Sequence, residues 1–292
     1  MNSIDYVFPN IIRSKNRGGL AERLCLATQY DCQYIEMPAP FVHNKTEKEL
    51  TGQSYGELLT PDTISLLYAE GSNLPDDLRY ILHTDPGFDS TGSGYTPKYL
   101  KWYDREWVEA YARMLIEIAD HLGRVPHTIE IHPGSPKTTP AHYVLAMNTL
   151  RTVFEKHTGQ KPDIVLENLM VSHVNSGVHL AEIGELLEIA NPDLKKSCGF
   201  VVDISGIWTA NKQKKEAFQV SFDAIPTWAV KGLHVHLKHQ PVDETQVPAF
   251  WASFREWMKT IDHPIFINPE IHTMEAFLEL YPYCRELAVN EG

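Results

Sequence analysis

Asp163-Ile164-Val165-Leu166-Glu167-Asn168-Leu169 is a short apolar run that stops abruptly on a carboxylate. Its length and β-branched content are those of a strand buried on both faces. Alternate side chains in a strand face opposite ways, so Val165 and Glu167 share one face while Ile164 and Leu166 share the other. A charge carried to the end of a buried strand is costly unless something compensates it. A metal ion or a catalytic role is the expected reason for keeping it there.

The pattern recurs along the chain. Tyr80-Ile81-Leu82-His83, Thr128-Ile129-Glu130-Ile131-His132, Phe200-Val201-Val202-Asp203, Leu233-His234-Val235-His236 and Phe266-Ile267-Asn268-Pro269-Glu270 are further apolar runs that close on His, Asp or Glu. With Glu167, these endings place His83, His132, Asp203, His236 and Glu270 at one relative position on successive strands.

Between the runs the pattern alternates with helical periodicity. A first strand is expected over 4–9 and a helix over 18–29. A second strand over 32–38 sets Tyr34 and Glu36 on one face, and residues 44–76 read as an inserted or elongated helical segment. The third strand ends at His83, and the Gly-, Ser- and Pro-rich stretch over 84–94 reads as a lid or binding loop. Asp104 is placed to cap a helix that runs to Gly123, and Thr139-Pro140 opens another that closes at Gly159. A later helix stops at Asn191-Pro192. Strand seven is expected to reach Lys238, a helix to cover 250–258, strand eight to reach Glu270, and a last helix to cover 274–288. Eight such strand-helix units without an internal composition break predict an α/β fold, a single (β/α)8 TIM barrel over residues 1–292. An open doubly wound sheet is the alternative, but no glycine-rich nucleotide fingerprint follows the first strand.

Composition agrees with a globular domain: 292 residues, 43% hydrophobic and 22% charged. A net charge of −12 argues against a generally cationic surface and so against nucleic acid as a partner. Cys25, Cys32, Cys198 and Cys284 form no CxxC pair and are expected as reduced, mostly buried thiols. The first residues show neither the basic region nor the apolar core of a signal peptide, and no apolar run is long enough to cross a bilayer. The expectation is a cytoplasmic protein without a membrane partner, for which a homo-oligomer remains open.

In a TIM barrel the C-terminal ends of the strands converge on one face. Imidazoles and carboxylates gathered there, with no thiolate among them, suit Zn2+, Mn2+, Fe2+ or Co2+. His132-Pro133-Gly134, Glu167-Asn168, Asp203, His236-Leu237-Lys238 and Glu270, taken in order, resemble the xylose isomerase-like TIM-barrel superfamily, which holds sugar isomerases, epimerases and endonuclease IV-type AP endonucleases. The resemblance spans strands three to eight. It implies that Glu167, Asp203, His236 and Glu270 hold one divalent metal and that the two glutamates move a proton off and onto carbon. It also implies that His83, His132 and Glu167 hold a second ion, as in the endonuclease-like members. Gly206 stands where the family usually has a histidine. No Asp-x-His pair follows strand seven, where the chain reads Gln240-Pro241-Val242-Asp243-Glu244-Thr245-Gln246-Val247-Pro248, and His239 replaces the usual aspartate. A third metal site is therefore expected to be absent.

Each residue also has a plainer reading. Glu167 and Glu270 can be buried carboxylates paired with basic side chains, and Asp203 can cap the next helix. His236 is preferred over His234 as ligand because it lies nearer the mouth, with His234 as a supporting or core histidine. Glu36 and Glu130 read as structural ion pairs with Lys or Arg. Lys238 shares the face of His236 and is a candidate oxyanion stabiliser. Trp102, Trp208, Trp228 and Phe88 can stack on a sugar or simply pack against helices. The resulting expectation is a divalent-metal isomerase or epimerase acting on a small sugar-like carbonyl compound. The alternatives are a two-metal phosphoester hydrolase related to endonuclease IV, and a barrel that binds without catalysing.

Overall fold

Every apolar run read as a strand pairs in parallel with the next, and the last returns to the first. The result is a closed barrel in the order β1 to β8. The strands are β1 Ile4–Phe8, β2 Tyr34–Ala39, β3 Arg79–Thr84, β4 Thr128–Ile131, β5 Asp163–Glu167, β6 Cys198–Asp203, β7 Val230–His234 and β8 Ile265–Asn268. They come from a computed structural model that describes residues 3–10, 20–39, 48–49, 52–54, 56–68, 74–84, 99–211, 214–236, 254–271 and 273–288.

Strand alternation sorts the side chains into two cores. Outward-facing residues such as Ile35, Leu82, Ile129, Ile164, Leu166, Phe200 and Leu233 pack beneath the helices. A separate buried cluster of Val7, Tyr34, Ile81, Val165, Val201 and Phe266 fills the barrel interior. Two residues further along five of these six strands the interior turns polar, with Glu36, His83, Glu167, Asp203 and Asn268; past Val7 the step reaches Pro9. The same step from Thr128 and Gly232 reaches Glu130 and His234. The barrel is thus an apolar plug carrying a polar layer. Gly232 is part of that packing, since a Cβ there would meet the Phe266 ring at 2.2 Å.

The helix ends follow the expected chemistry. Asp104 Oδ1 accepts from Trp107 N at 3.2 Å at the start of Arg105–His121. The helix Pro140–Thr158 opens with Thr139 N donating to His142 Nδ1 at 3.1 Å and closes on Gly159 at φ 73°. The final helix covers Met274–Ala288.

Some expectations are corrected. Within the segment over 44–76, Pro61–Leu67 is a helix, opened by Thr60 accepting from Thr63 N at 3.3 Å, and residues 48–49 are also helical; the rest of the described residues there are not. Strand seven ends at His234 rather than at Lys238, while His132 and Glu270 lie just past the ends of their strands. Trp102 and Trp208 are buried against aromatic neighbours, Trp102 on Trp107 and Tyr111 and Trp208 on Phe218, so both serve packing. Trp228 lies under the Lys195 ammonium. Residues 85–98, including Phe88 and most of the expected lid, lie outside the described residues, as do Leu237, Lys238, His239 and residues 240–253. Among the described residues no helix is long and apolar enough to cross a membrane.

Candidate active site

The polar layer meets at the C-terminal mouth of the barrel because neighbouring strands hold their polar endings in near register. Asp203 pairs with His234, His234 with Asn268, and His83 with Glu130. Every side chain singled out at a strand end, except Lys238, lies in this one region, and all are buried or nearly so.

Glu167 is at the centre. Its Oε2 lies 3.0 Å from His132 Nε2 and 3.5 Å from His83 Nε2, and its Oε1 lies 3.3 Å from His234 Nδ1. Glu270 Oε2 is 2.8 Å from that same His234 Nδ1 and 2.9 Å from His236 Nε2. Asp203 stands further off, with Oδ1 3.8 Å from His236 Nε2. Asn168 and Asp203 fasten β5 to β6, as Asn168 Nδ2 donates to Asp203 O and Asp203 N to Asn168 Oδ1, each at 2.9 Å.

Glu36 and Glu130 depart from expectation. Their partners are not Lys or Arg but histidines: Glu36 Oε1 lies 2.8 Å from His83 Nδ1, and Glu130 Oε1 lies 3.0 Å from His234 Nε2 and 3.7 Å from His83 Nε2. Asn268 Nδ2 donates to Glu36 Oε2 at 3.0 Å, and so does Asn10 N at 3.1 Å. These residues had a signal in the sequence. Glu130, His234 and Asn268 each lie two positions before a chosen residue, on the same face of their strand.

The electrostatics follow from packing carboxylates and imidazoles out of water. Burial pushes the Glu167 carboxyl up, but His234 and His132 outweigh it and hold it well below the usual carboxylate range. Glu270 behaves likewise, with His234 and His236 overcoming burial. His83 and His234 are pulled well above the ordinary imidazole value, because Glu130 with Glu36, and Glu130 with Glu167, outweigh burial. His236 rises to about 9 through Glu270 and Asp203, and burial raises Asp203 to about 6.

This donor set fits a divalent cation. Among the described residues, the carboxylates of Glu36, Glu130, Glu167, Asp203 and Glu270 make no ion pair to Lys or Arg; their positive neighbours are imidazoles. His83 Nε2, Glu167 Oε2, Asp203 Oδ1 and His234 Nδ1 are buried without a hydrogen-bond partner, although other donor atoms stand within 4 Å. Donor atoms so close and without a hydrogen bond of good geometry are ones that a shared cation would satisfy. Donors about 2.1 Å from one cation at right or tetrahedral angles lie about 3.0–3.4 Å apart, the spacing that recurs here. A cation would take the place of the protons that this field draws onto the imidazoles. Ligand-capable sets, each with donor atoms within 4.8 Å, are His83/His132/Glu167, His234/His236/Glu270 and Glu130/Glu167/His234. Gly206 leaves Asp203 its place: a Cβ there would meet Asp203 Oδ2 at 2.5 Å.

No family model and no curated protein matches the sequence. Solved structures match throughout. A D-tagatose 3-epimerase-like protein is 14% identical, with 98% of this chain and 97% of that chain covered and a TM-score of 0.58. An AP endonuclease, family 2, from Brucella melitensis is 11% identical, with 97% and 99% covered and a TM-score of 0.52. A xylose isomerase-like TIM barrel protein from Mycobacterium smegmatis, in complex with magnesium, is 11% identical, with 97% and 95% covered and a TM-score of 0.50. This chain therefore has the closed parallel barrel of the xylose isomerase-like TIM-barrel proteins, which its strand endings already resembled.

Proposed function

We propose that this chain is a divalent-metal-dependent isomerase or epimerase that moves a proton at carbon on a small, sugar-like carbonyl compound. The observation that carries the reading is the gathering of Glu167 and Glu270 at one ring nitrogen of His234. Their nearest oxygens are 3.3 and 2.8 Å from the same Nδ1. Both carboxylates are held ionised, as a proton acceptor must be, and neither is tied to a fixed cationic side chain. One glutamate takes the proton from carbon, the other takes up a proton from solvent and donates it to carbon, and loss of the first proton to solvent resets the pair.

His83, His132, Glu167, Asp203, His236 and Glu270, joined by His234, are the residues that would hold one or two ions of Zn, Mn, Fe or Co. A bound cation supplies Lewis-acid polarisation of the substrate carbonyl. Around it the chain does the remaining work: Asn168 fixes the backbone of Asp203, Glu36 fixes the ring of His83, and the apolar plug beneath closes the site to water from below. Lys238, proposed as an oxyanion stabiliser, lies outside the described residues.

The gathering of His83, His132 and Glu167 favours a second reading, a two-metal phosphoester hydrolase. Both are tested by incubating metal-loaded protein with aldoses, ketoses and 2-keto acids in D2O and following C–H exchange by NMR, beside phosphoester and abasic-DNA cleavage assays. Exchange lost in Glu167→Gln and Glu270→Gln supports proton transfer. Hydrolysis without exchange favours the second reading, and neither activity with any substrate class removes both.

A further inference from the structure

We infer that the polar layer of the barrel holds an interior cation site made by Glu130, Glu167 and His234 and suited to Zn2+ or Mn2+. The donor atoms of these three side chains lie within 4.8 Å of one another. Glu130 and His234 are 0% exposed and Glu167 is 3% exposed. They sit where β4, β5 and β7 turn the interior from apolar to polar.

Glu130 anchors this site. Both of its carboxylate oxygens are buried without a hydrogen-bond partner. The positive groups beside it are imidazoles, His234 Nε2 at 3.0 Å and His83 Nε2 at 3.7 Å from Oε1, and neither contact has hydrogen-bond alignment. A fully buried carboxylate with neither oxygen hydrogen-bonded calls for a partner within contact distance. The spacing to His234 Nε2 is that of two donors on one cation.

His234 joins this site to the mouth through its two ring nitrogens. Nε2 faces Glu130, while Nδ1 lies 2.8 Å from Glu270 Oε2. Glu36 and Asn268 brace the same layer, since Asn268 Nδ2 donates to Glu36 Oε2 at 3.0 Å, and a cation on His234 Nε2 would displace the 3.3 Å contact of that amide with the ring. The site shares Glu167 with the proton-transfer pair and His234 with the mouth, and Glu130 is the ligand it has to itself.

The test is anomalous diffraction from crystals of the full chain grown with Zn2+ or Mn2+, with elemental analysis of the wild type and Glu130→Gln. A peak among Glu130, Glu167 and His234, and one ion fewer per chain in Glu130→Gln, is the expected result. Peaks confined to the mouth, with Glu130 bonded to water or to His234, overturn the interior site and leave the proposed reaction standing. No peak anywhere in protein saturated with either metal overturns both. Should Glu130→Gln fail to fold, the wild-type map decides alone.

Discussion

Glu36 braces His83 from behind: its Oε1 stands 2.8 Å from His83 Nδ1, while Nε2 on the far side of the ring faces Glu167 Oε2 at 3.5 Å. A carboxylate on the second nitrogen of a metal-binding imidazole fixes both its rotation and its tautomer. Loss of such a partner typically weakens metal affinity about 10- to 100-fold. Glu36→Gln is expected to do so, as read by competition with a chromophoric chelator. An unchanged affinity would make Glu36 a bystander.

Glu167 and Glu270 should separate in their effects. Glu167 belongs to two of the three ligand-capable sets and Glu270 to one. Glu167→Gln is therefore expected to lower bound metal more than Glu270→Gln, while each lowers kcat by at least about 100-fold, the usual worth of a positioned acid or base. Metal analysis and steady-state kinetics on the same preparations check this, with circular dichroism to show that the fold is kept.

Removing metal should destabilise the barrel. Without a cation the polar layer relies on protons to balance its carboxylates, whereas ligand at 100 times its Kd adds about 2.7 kcal/mol to the folded state. Dialysis against a chelator is expected to lower Tm by about 5 °C, restored by Zn2+ or Mn2+ but not by Na+, since a domain this size shifts a few degrees per kcal/mol. Equal melting curves with and without metal would contradict the donor arrangement.

At the opposite end of β5, Asp163 gives a pH signature independent of the site. Burial lifts its pKa to about 6 from 3.8, only partly countered by Lys231 and Arg151. Between those values the folded state holds more protons than the unfolded one, so this contribution to stability falls as pH rises toward 6 and stays lost above it. The shift is worth about 3 kcal/mol at most. Asp163→Asn should raise Tm at pH 8 and make no difference near pH 4. A variant less stable than wild type at pH 8 would mean that pairing with Lys231 outweighs burial.

Gly232→Ala should show how tight the apolar plug is. The new Cβ falls 2.2 Å from the Phe266 ring, inside a closed barrel that cannot yield freely. Overpacking of this kind costs about 1–3 kcal/mol, and Phe266→Leu in the same chain should recover part of it. Urea unfolding of the single and double variants measures the coupling.

The sequence by itself determined the barrel. Strand and helix periodicities are local, and each apolar run ending on His, Asp or Glu could be read without knowing its neighbours. That is why Asp163–Glu167 and Cys198–Asp203 close where their carboxylates stand, and why Met274–Ala288 is helical as expected. The strand ends named from sequence also converge, because parallel strands in register bring equal positions together. What only the tertiary structure decided is who faces whom. Glu36 and Glu130 looked like partners for lysine or arginine, yet the closed barrel sets them against His83 and His234 from other strands. His236 lies nearer the mouth in sequence, while the closed barrel sets His234 among Glu130, Glu167 and Glu270. Such contacts depend on the register across the barrel and on the side chains filling the layer beneath, information that no single strand carries.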